Sequence, residues 1–408
     1  MDYVPYAVPF FLLAILLEFL YGILKKNNTY RLNDTVSSLF MGSLSGASKL
    51  ILIGAGGLVF KAIEDHYALW RLSDNLLITS VFIFILYDLC YYWFHRISHE
   101  RKIFWGAHVA HHQSEEYNLS TALRQTSMSF ILSWVFYVPL FMIGVPAEVF
   151  VSIASINLIY QFWVHSQHVP KLGWFDYVFV SPSNHRVHHA QNDSYIDKNY
   201  GGVFVVWDRL FGTFQEELNN EKCVYGIRGP IRTFNPLWAN VHVYLGIFKD
   251  ILKAKSFKDK LYAPLSPTGW KPESMDVGTL SNEYNPDTFQ KFDPQVHKLI
   301  NIYAFIQLLI LAAIGNFITE YGSSSYSTGL ILVTLLVLTM VSCTQWLDGK
   351  SAIILESVRL IFLSILSITL ILRNVFSYEL VFLISYICLN FLLLPFLNKY
   401  HNLFSLKQ

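Results

Sequence analysis

The residues best suited to chemistry in this chain are histidines, and they are bunched. The stretch "HVAHHQSEEYNLSTALRQ", residues 108 to 125, carries His108, His111 and His112, and the same spacing returns at His185, His188 and His189 in "NHRVHHAQN". With 14 histidines in 408 residues, chance would supply an HxxHH box about 0.02 times per chain, the false-positive rate against which any motif is weighed. Two copies call for a chemical reason. In "YDLCYYWFHRISHE" an apolar run ends in His95 and His99, four apart and therefore on one helix face, with Asp88 seven positions before His95 on that same face. "WVHSQH" adds His165, and also His168, which at a spacing of three need not turn inward with it.

Nine imidazoles, those of His95, His99, His108, His111, His112, His165, His185, His188 and His189, exceed what one four- to six-coordinate ion can use, so the count points to two metal ions. Imidazole suits zinc, copper, iron and nickel, whereas a structural zinc site uses about four ligands. A redox metal, iron above all, gives a reason to place such a site beside lipid, where it would oxidise an unactivated C–H bond. Two divalent ions among neutral ligands also need negative charge nearby, for which Asp88, Glu100, Asp176 and Asp197 are candidates. The isolated His66, His242, His297 and His401 read as ordinary polar groups. Tyr91, Tyr92, Trp93, Trp105 and Trp163 fit either a lipid tunnel or an interfacial aromatic belt.

Elements able to position these residues must be membrane helices. The chain is 14% charged and 53% hydrophobic, with mean hydropathy +0.38, far from the quarter-charged composition of a soluble domain. A net charge of +1 gives no nucleic-acid signature. Cys90, Cys223, Cys343 and Cys388 are scattered and form neither a disulfide framework nor a CxxC metal site. Apolar runs near the length of about 20 residues that spans hydrocarbon fall at roughly 4–24, 36–60, 76–94, 127–145, 147–164, 299–318, 329–346, 353–372 and 379–397.

The first run lacks a basic leader and a small-residue cleavage site and reads as a retained span. The second, with Lys49, Gly and Ser inside it, reads as a broken or re-entrant one. The expected fold is all-α and polytopic, with about nine spans. Residues 1–70 would hold the N-terminal membrane helices, 71–235 the catalytic domain, 236–298 a cytoplasmic linker and 299–408 the C-terminal spans. Lys25, Lys26 and Arg31 after the first span put the N-terminus outside, and every histidine box then lies at the cytoplasmic interface. Glu356 and Arg359 in the eighth span read as an interfacial pair.

The pattern HxxxH, HxxHH, HxxHH, met here by His95 and His99, by His108, His111 and His112, and by His185, His188 and His189, resembles the fatty acid hydroxylase and sterol desaturase superfamily. "CYYWFHRISHE", "EEYNLSTALRQ", "LIYQFWVH" and "NHRVHHAQNDSYIDKNYGGVFVVWDRLFGTF" are similar, more narrowly, to its ether-lipid-cleaving branch, strongly over about residues 70–235. The resemblance implies a di-iron, oxygen-dependent monooxygenase of alkylglycerol lipids, with tetrahydrobiopterin as reductant and zinc able to substitute in a purified sample. It implies as well that Glu100, next to His99, belongs to the site, and that the protein sits in the endoplasmic reticulum if eukaryotic or the inner membrane if bacterial. His168 departs from the branch's pattern.

Other functions use the same residues differently. A sterol or fatty acyl hydroxylase or desaturase would need the same boxes and another electron donor; with no cytochrome b5-like HPGG motif in the chain, electrons come from a separate protein or a small reductant. A metal transporter would hold its ligands near the bilayer midplane, not at one interface. A zinc hydrolase is expected to carry HExxH, and none is present.

Overall fold

The computed structural model describes residues 1–70, 77–272, 288–321, 326–373 and 378–405. Residues 273–287 of the expected linker, the boundary near 71 and the last three residues lie outside that set. Among the described residues sixteen α-helices follow one another. They are α1 (Val4–Leu24), α2 (Leu32–Tyr67), α3 (Leu77–Glu100), α4 (Lys102–Gly106), α5 (Val109–His112), α6 (Leu119–Ala122), α7 (Ser129–Met142) and α8 (Ala147–Trp163), then α9 (Pro182–His189), α10 (Val206–Leu210), α11 (Pro236–Lys253), α12 (Phe257–Tyr262), α13 (Lys298–Tyr321), α14 (Tyr326–Leu347), α15 (Ile353–Leu372) and α16 (Tyr378–Ser405). Among the described residues the only β pairings are isolated bridges, Phe179 with Phe204 and Ala190 with Tyr225. A helical chain is what a bilayer demands, because hydrocarbon offers backbone groups no partner but one another.

Among the described residues five helical stretches are long and apolar enough to cross a membrane: Val4–Leu24, Ile78–Glu100, Gly329–Leu347, Ile353–Leu372 and Leu380–Leu403. Ile131–Met142, Ala147–Trp163 and Lys298–Ala312 are shorter apolar helices. The break expected within 36–60 is not there, since α2 runs through 36 residues as one helix. Its glycines and serines cost helix propensity without forcing a turn. The stretch expected as a linker carries α11 and α12.

The chain forms two compact units. The first comprises residues 1–31, 52–231 and 238–291, and the second 32–51, 232–237 and 292–408. In the first, α3 packs with the α7–α8 hairpin around Tyr87, Tyr137, Phe141 and Phe150, with Tyr87 stacked on Tyr137 at 5.0 Å. Gly144, at φ 86°, turns the hairpin in a conformation that disfavours a side chain. α1 joins by stacking Phe11 on Phe162 at 4.0 Å.

The second unit packs Val36, Phe40 and Leu44 among Tyr303, Leu336, Met340 and Trp346. Glu356 and Arg359 are each 1% exposed and paired at 2.7 Å. They are a buried pair, not the interfacial one expected, and the reason is a set of partners from other helices. Tyr303 and Ser342 donate to Glu356 at 2.9 Å, and Arg359 donates to the Asn390 side-chain oxygen at 3.2 Å.

Candidate metal centre

Each histidine box is delivered by a different local device. α3 carries His95 and His99 at its C-terminal end. α5 is a single turn holding His111 and His112, preceded by His108. α9 starts at Pro182 after a reciprocal cap, in which Asn184 N donates to Ser181 Oγ (3.4 Å) and Ser181 N to Asn184 Oδ1 (3.0 Å). A proline and a capping box at the start are the features that let an eight-residue helix hold its register, and this one presents His185, His188 and His189. His165 follows the end of α8.

These devices bring the nine sequence-predicted histidines into two groups, all buried. His95, His99, His108, His112 and His188 form one, and His111, His165, His185 and His189 the other, with the ligand atoms of each group within 4.8 Å of one another. The groups share a wall, for His112 and His189 stack with ring centroids 4.3 Å apart.

The orientation of the rings is set from behind. Nδ1 of His95 donates to the Tyr200 carbonyl (2.8 Å), His111 to Arg124 (2.8 Å), His165 to Gln161 (2.8 Å) and His188 to Lys198 (2.9 Å). A carbonyl only accepts, so these four rings carry their proton on Nδ1 and turn a bare Nε2 lone pair inward. There the Nε2 atoms face one another. His111 and His165 approach at 3.3 Å, His95 and His108 at 3.0 Å, and His112 and His188 at 3.2 Å. For His111 and His165 both partners are acceptors, an arrangement that no hydrogen bond relieves. Protonation does not relieve it either. Burial holds the His111 imidazole down to about 4, and burial together with the neighbouring rings holds His108, His112, His165, His185, His188 and His189 well below the usual imidazole range. Neutral nitrogens facing one another are the donor set of a metal ion, and each group could hold one.

A strained loop serves the larger group. Asp197 and Asn199 both adopt left-handed backbone, at φ 58° and 56°, and flank Lys198, whose carbonyl receives His188. Asn199 fixes the loop by donating to the carbonyls of Asn184 (3.0 Å) and Gln215 (2.7 Å). The same turn sets Asp197 3.7 Å from His99 Nδ1. Aromatic side chains close the walls: Trp105 against His99 (5.1 Å) and Tyr200 against His99 (5.3 Å), and Tyr117 between His165 and Tyr225.

Among the candidate carboxylates, Asp197 is the one at a histidine. Asp88 lies in neither group. It accepts from Asn157 (2.7 Å), from the backbone of Val203 and Phe204 (2.9 Å each) and from the Trp207 indole (3.0 Å), and so pins the segment that follows Tyr200. Glu100 pairs with Arg96 at 2.8 Å, and Asp176 accepts from Leu172 N. His168 stays outside both groups, its ring edge against Tyr21.

Sequence reasoning missed Tyr117, Tyr200, Asn199 and Glu18. Glu18, buried in α1, accepts from Tyr30 (2.5 Å), Ser166 (2.5 Å) and Leu119 N (2.8 Å), tying α1 to both sides of the smaller group. The signal for it was a lone acid inside an apolar span, which by default marks a functional or bridging position.

Residues 80–213 match the fatty acid hydroxylase family. The chain is 37% identical to the alkylglycerol monooxygenase of Homo sapiens over 363 residues, 88% of this chain and 81% of that protein. It is 33% identical to the alkylglycerol monooxygenase of Danio rerio over 374 residues (89% and 82%) and 34% identical to that of Xenopus tropicalis over 362 (88% and 80%). No solved structure matches the chain.

Proposed function

The chain belongs to the alkylglycerol monooxygenase family, and we propose that it is a membrane di-iron monooxygenase that cleaves the O-alkyl bond of alkylglycerol ether lipids with dioxygen and tetrahydrobiopterin. The observation that carries this reading is the pair of buried histidine groups with bare nitrogens facing inward, in a chain similar to these enzymes over most of its length. His95, His99, His108, His112 and His188 would hold one iron, and His111, His165, His185 and His189 the other. Two irons held there would supply dioxygen activation: one oxygen atom would enter the C–H bond of the carbon beside the ether oxygen, and the other would leave as water with two protons and the two electrons given up by tetrahydrobiopterin. That carbon becomes a hemiacetal carbon, and the product collapses to a fatty aldehyde and a glycerol derivative.

The protein's own part is positional. The carbonyls of Tyr200, Arg124, Gln161 and Lys198 fix which nitrogen each ring offers, and Trp105, Tyr117 and Tyr200 keep bulk water from the rings. Asp197 stands where a carboxylate would offset cationic charge on the His99 side. Asp88 and Glu100 act on the site without touching it, Asp88 through the segment after Tyr200 and Glu100 through α3 by way of Arg96.

For topology the reading is nine spans with the N-terminus outside and all boxes cytoplasmic, in the endoplasmic reticulum of a eukaryote or the inner membrane of a bacterium. The basic residues after α1 support that orientation. An alkyl chain in the bilayer would then bring its head-proximal carbon to a site at headgroup depth without leaving the membrane. The test gives purified protein an alkylglycerol and, separately, a sterol and a fatty acid, each with tetrahydrobiopterin and dioxygen. Aldehyde from the ether alone is expected. Oxidation of the sterol or acid without aldehyde would move the protein to another branch of the superfamily while leaving the metal centre standing.

A further inference from the structure

α11 is built the wrong way out for a helix in water. Its inner face holds it to the histidine-bearing segment through polar contacts. Asn240 Oδ1 accepts from Ser127 N at 2.9 Å and Thr126 Oγ1 at 3.1 Å, the Ala239 carbonyl accepts from Gln113 at 3.2 Å, and the buried Asp250 pairs with the buried Lys102 at 2.7 Å. The opposite face carries Trp238, Val241, Leu245, Phe248 and Leu252, all exposed, Phe248 at 57% and Leu252 at 65%. At about 100° per residue these five share an arc of less than a third of the circumference, directed away from Ala239, Ile247, Asp250 and Ala254, which are buried. The apolar surface continues in Phe257 and Leu261 of α12, 74% and 63% exposed. Along its edge run Lys249, Lys255, Lys258 and Lys260, exposed as well, whereas the acid within α11, Asp250, is consumed on the inside.

We infer that α11 and α12 lie in the plane of the membrane, with the Trp238–Leu252 stripe sunk among lipid chains and the lysines on anionic headgroups. A narrow apolar stripe on a helix with a charged flank is the pattern of an interfacial helix; a helix that crosses is apolar all round, and Asn240, Asp250 and Lys249 exclude that here. The chemistry that matches both parts of the surface at once is an anionic lipid layer, which offers acyl chains beside negative charge. Because the inner face of α11 grips Gln113, Thr126 and Ser127, either side of Arg124 whose carbonyl receives His111, this seat would fix how deep the histidines stand below the headgroups, whichever lipid is the substrate.

The test places a nitroxide label, one position at a time, at Val241, Leu245, Phe248, Leu252, Lys249 and Lys255 of the full-length, metal-loaded protein in lipid nanodiscs, scoring only variants that keep the parent's metal content. Collision rates are then read with dissolved oxygen, which concentrates in lipid, and with a water-soluble nickel chelate. The expected result is preferential oxygen contact at the four apolar positions, nickel contact at the two lysines, and deeper labels when phosphatidylglycerol replaces a third of the phosphatidylcholine. Lys255→Gln/Lys258→Gln/Lys260→Gln should abolish the dependence on phosphatidylglycerol. Nickel contact at Val241, Leu245, Phe248 and Leu252 would overturn the proposal. So would exclusion of both reagents, which would mean that a protein surface covers the stripe, or a depth indifferent to lipid charge.

Discussion

A histidine does nothing for a metal until something decides which nitrogen it offers, and here that decision is made by backbone carbonyls. This is why the candidate site was only half legible in the sequence. His95, His108, His185 and the others announce themselves by type and spacing, but every residue owns a carbonyl, so nothing in "Tyr200", "Arg124" or "Lys198" distinguishes an acceptor aimed at an imidazole. Asn199 makes the point testable. Its side chain donates twice and accepts from Gln215 N at 2.8 Å while its backbone sits in the left-handed region that asparagine tolerates. Asn199→Ala is expected to cost about 2–4 kcal/mol in thermal unfolding and to lower bound metal by releasing Lys198 from His188; unchanged metal and melting would show that the loop positions nothing. Asp208 supplies the pH dependence. It accepts from Tyr200 N (2.7 Å), Gly201 N (2.8 Å) and Thr213 (2.7 Å), and burial pushes its carboxyl up to about 6 from 3.8. A raised carboxyl binds its proton more tightly folded than unfolded, so its contribution is fully present below about 4 and declines as pH rises to about 6. The stability difference between the parent protein and Asp208→Asn should therefore shrink from pH 4 to pH 6 in paired melts, and a difference that grows would reverse the assignment.

Long helices were readable from apolar runs because a bilayer leaves the backbone no alternative to helix. Short ones were not. α4, α5 and α6 are four or five residues each, too brief for periodicity to register; α6 starts on the Asn118 capping box, whereas α5 relies on tertiary partners such as the Arg124 side chain, which donates to the Ala110 carbonyl at 2.7 Å. α11 lies in the stretch expected as a cytoplasmic linker, where Asn240, Lys249, Asp250 and Lys253 keep its apolar positions from standing out as a span. Two element-level outcomes are expected. Ser181→Ala, which removes the cap of α9, should cost about 1 kcal/mol and loosen the larger and smaller groups together, since α9 serves both; metal retention and melting temperature would read it. In the second unit, Glu356→Ala strands Arg359 among Tyr303, Tyr386 and Asn390. Breaking one partner of a buried pair costs about 3–5 kcal/mol, whereas replacing both by apolar residues of similar size is often close to neutral. Glu356→Ala should thus melt well below the double variant Glu356→Leu/Arg359→Met, and equal losses would mean that the pair is not the unit's electrostatic hinge.

For the whole molecule, composition and hydropathy were enough to expect membrane helices, and the boxes were enough to expect the histidines that gather in two buried groups, each able to hold a metal ion, because both signals are additive along the sequence. Division into two units was not legible, as each is assembled from stretches far apart in the chain. Orientation is open to direct measurement. With the native Cys90, Cys223, Cys343 and Cys388 replaced, a cysteine at the exposed Asp193, beside the last box, should react with an impermeant reagent only from the cytoplasmic side; labelling from the outer face would invert the topology. Purified protein is expected to carry some zinc, which binds nitrogen donors more tightly than ferrous iron. The central claim is that the two histidine groups each hold a metal ion that the oxygenation needs. Elemental analysis of active protein and of His188→Ala and His111→Ala, one variant per group, tests it most directly. The account predicts two ions per chain in the parent, a clear loss in each variant, and no aldehyde release from either. Parental metal content with full aldehyde release in either variant would contradict it.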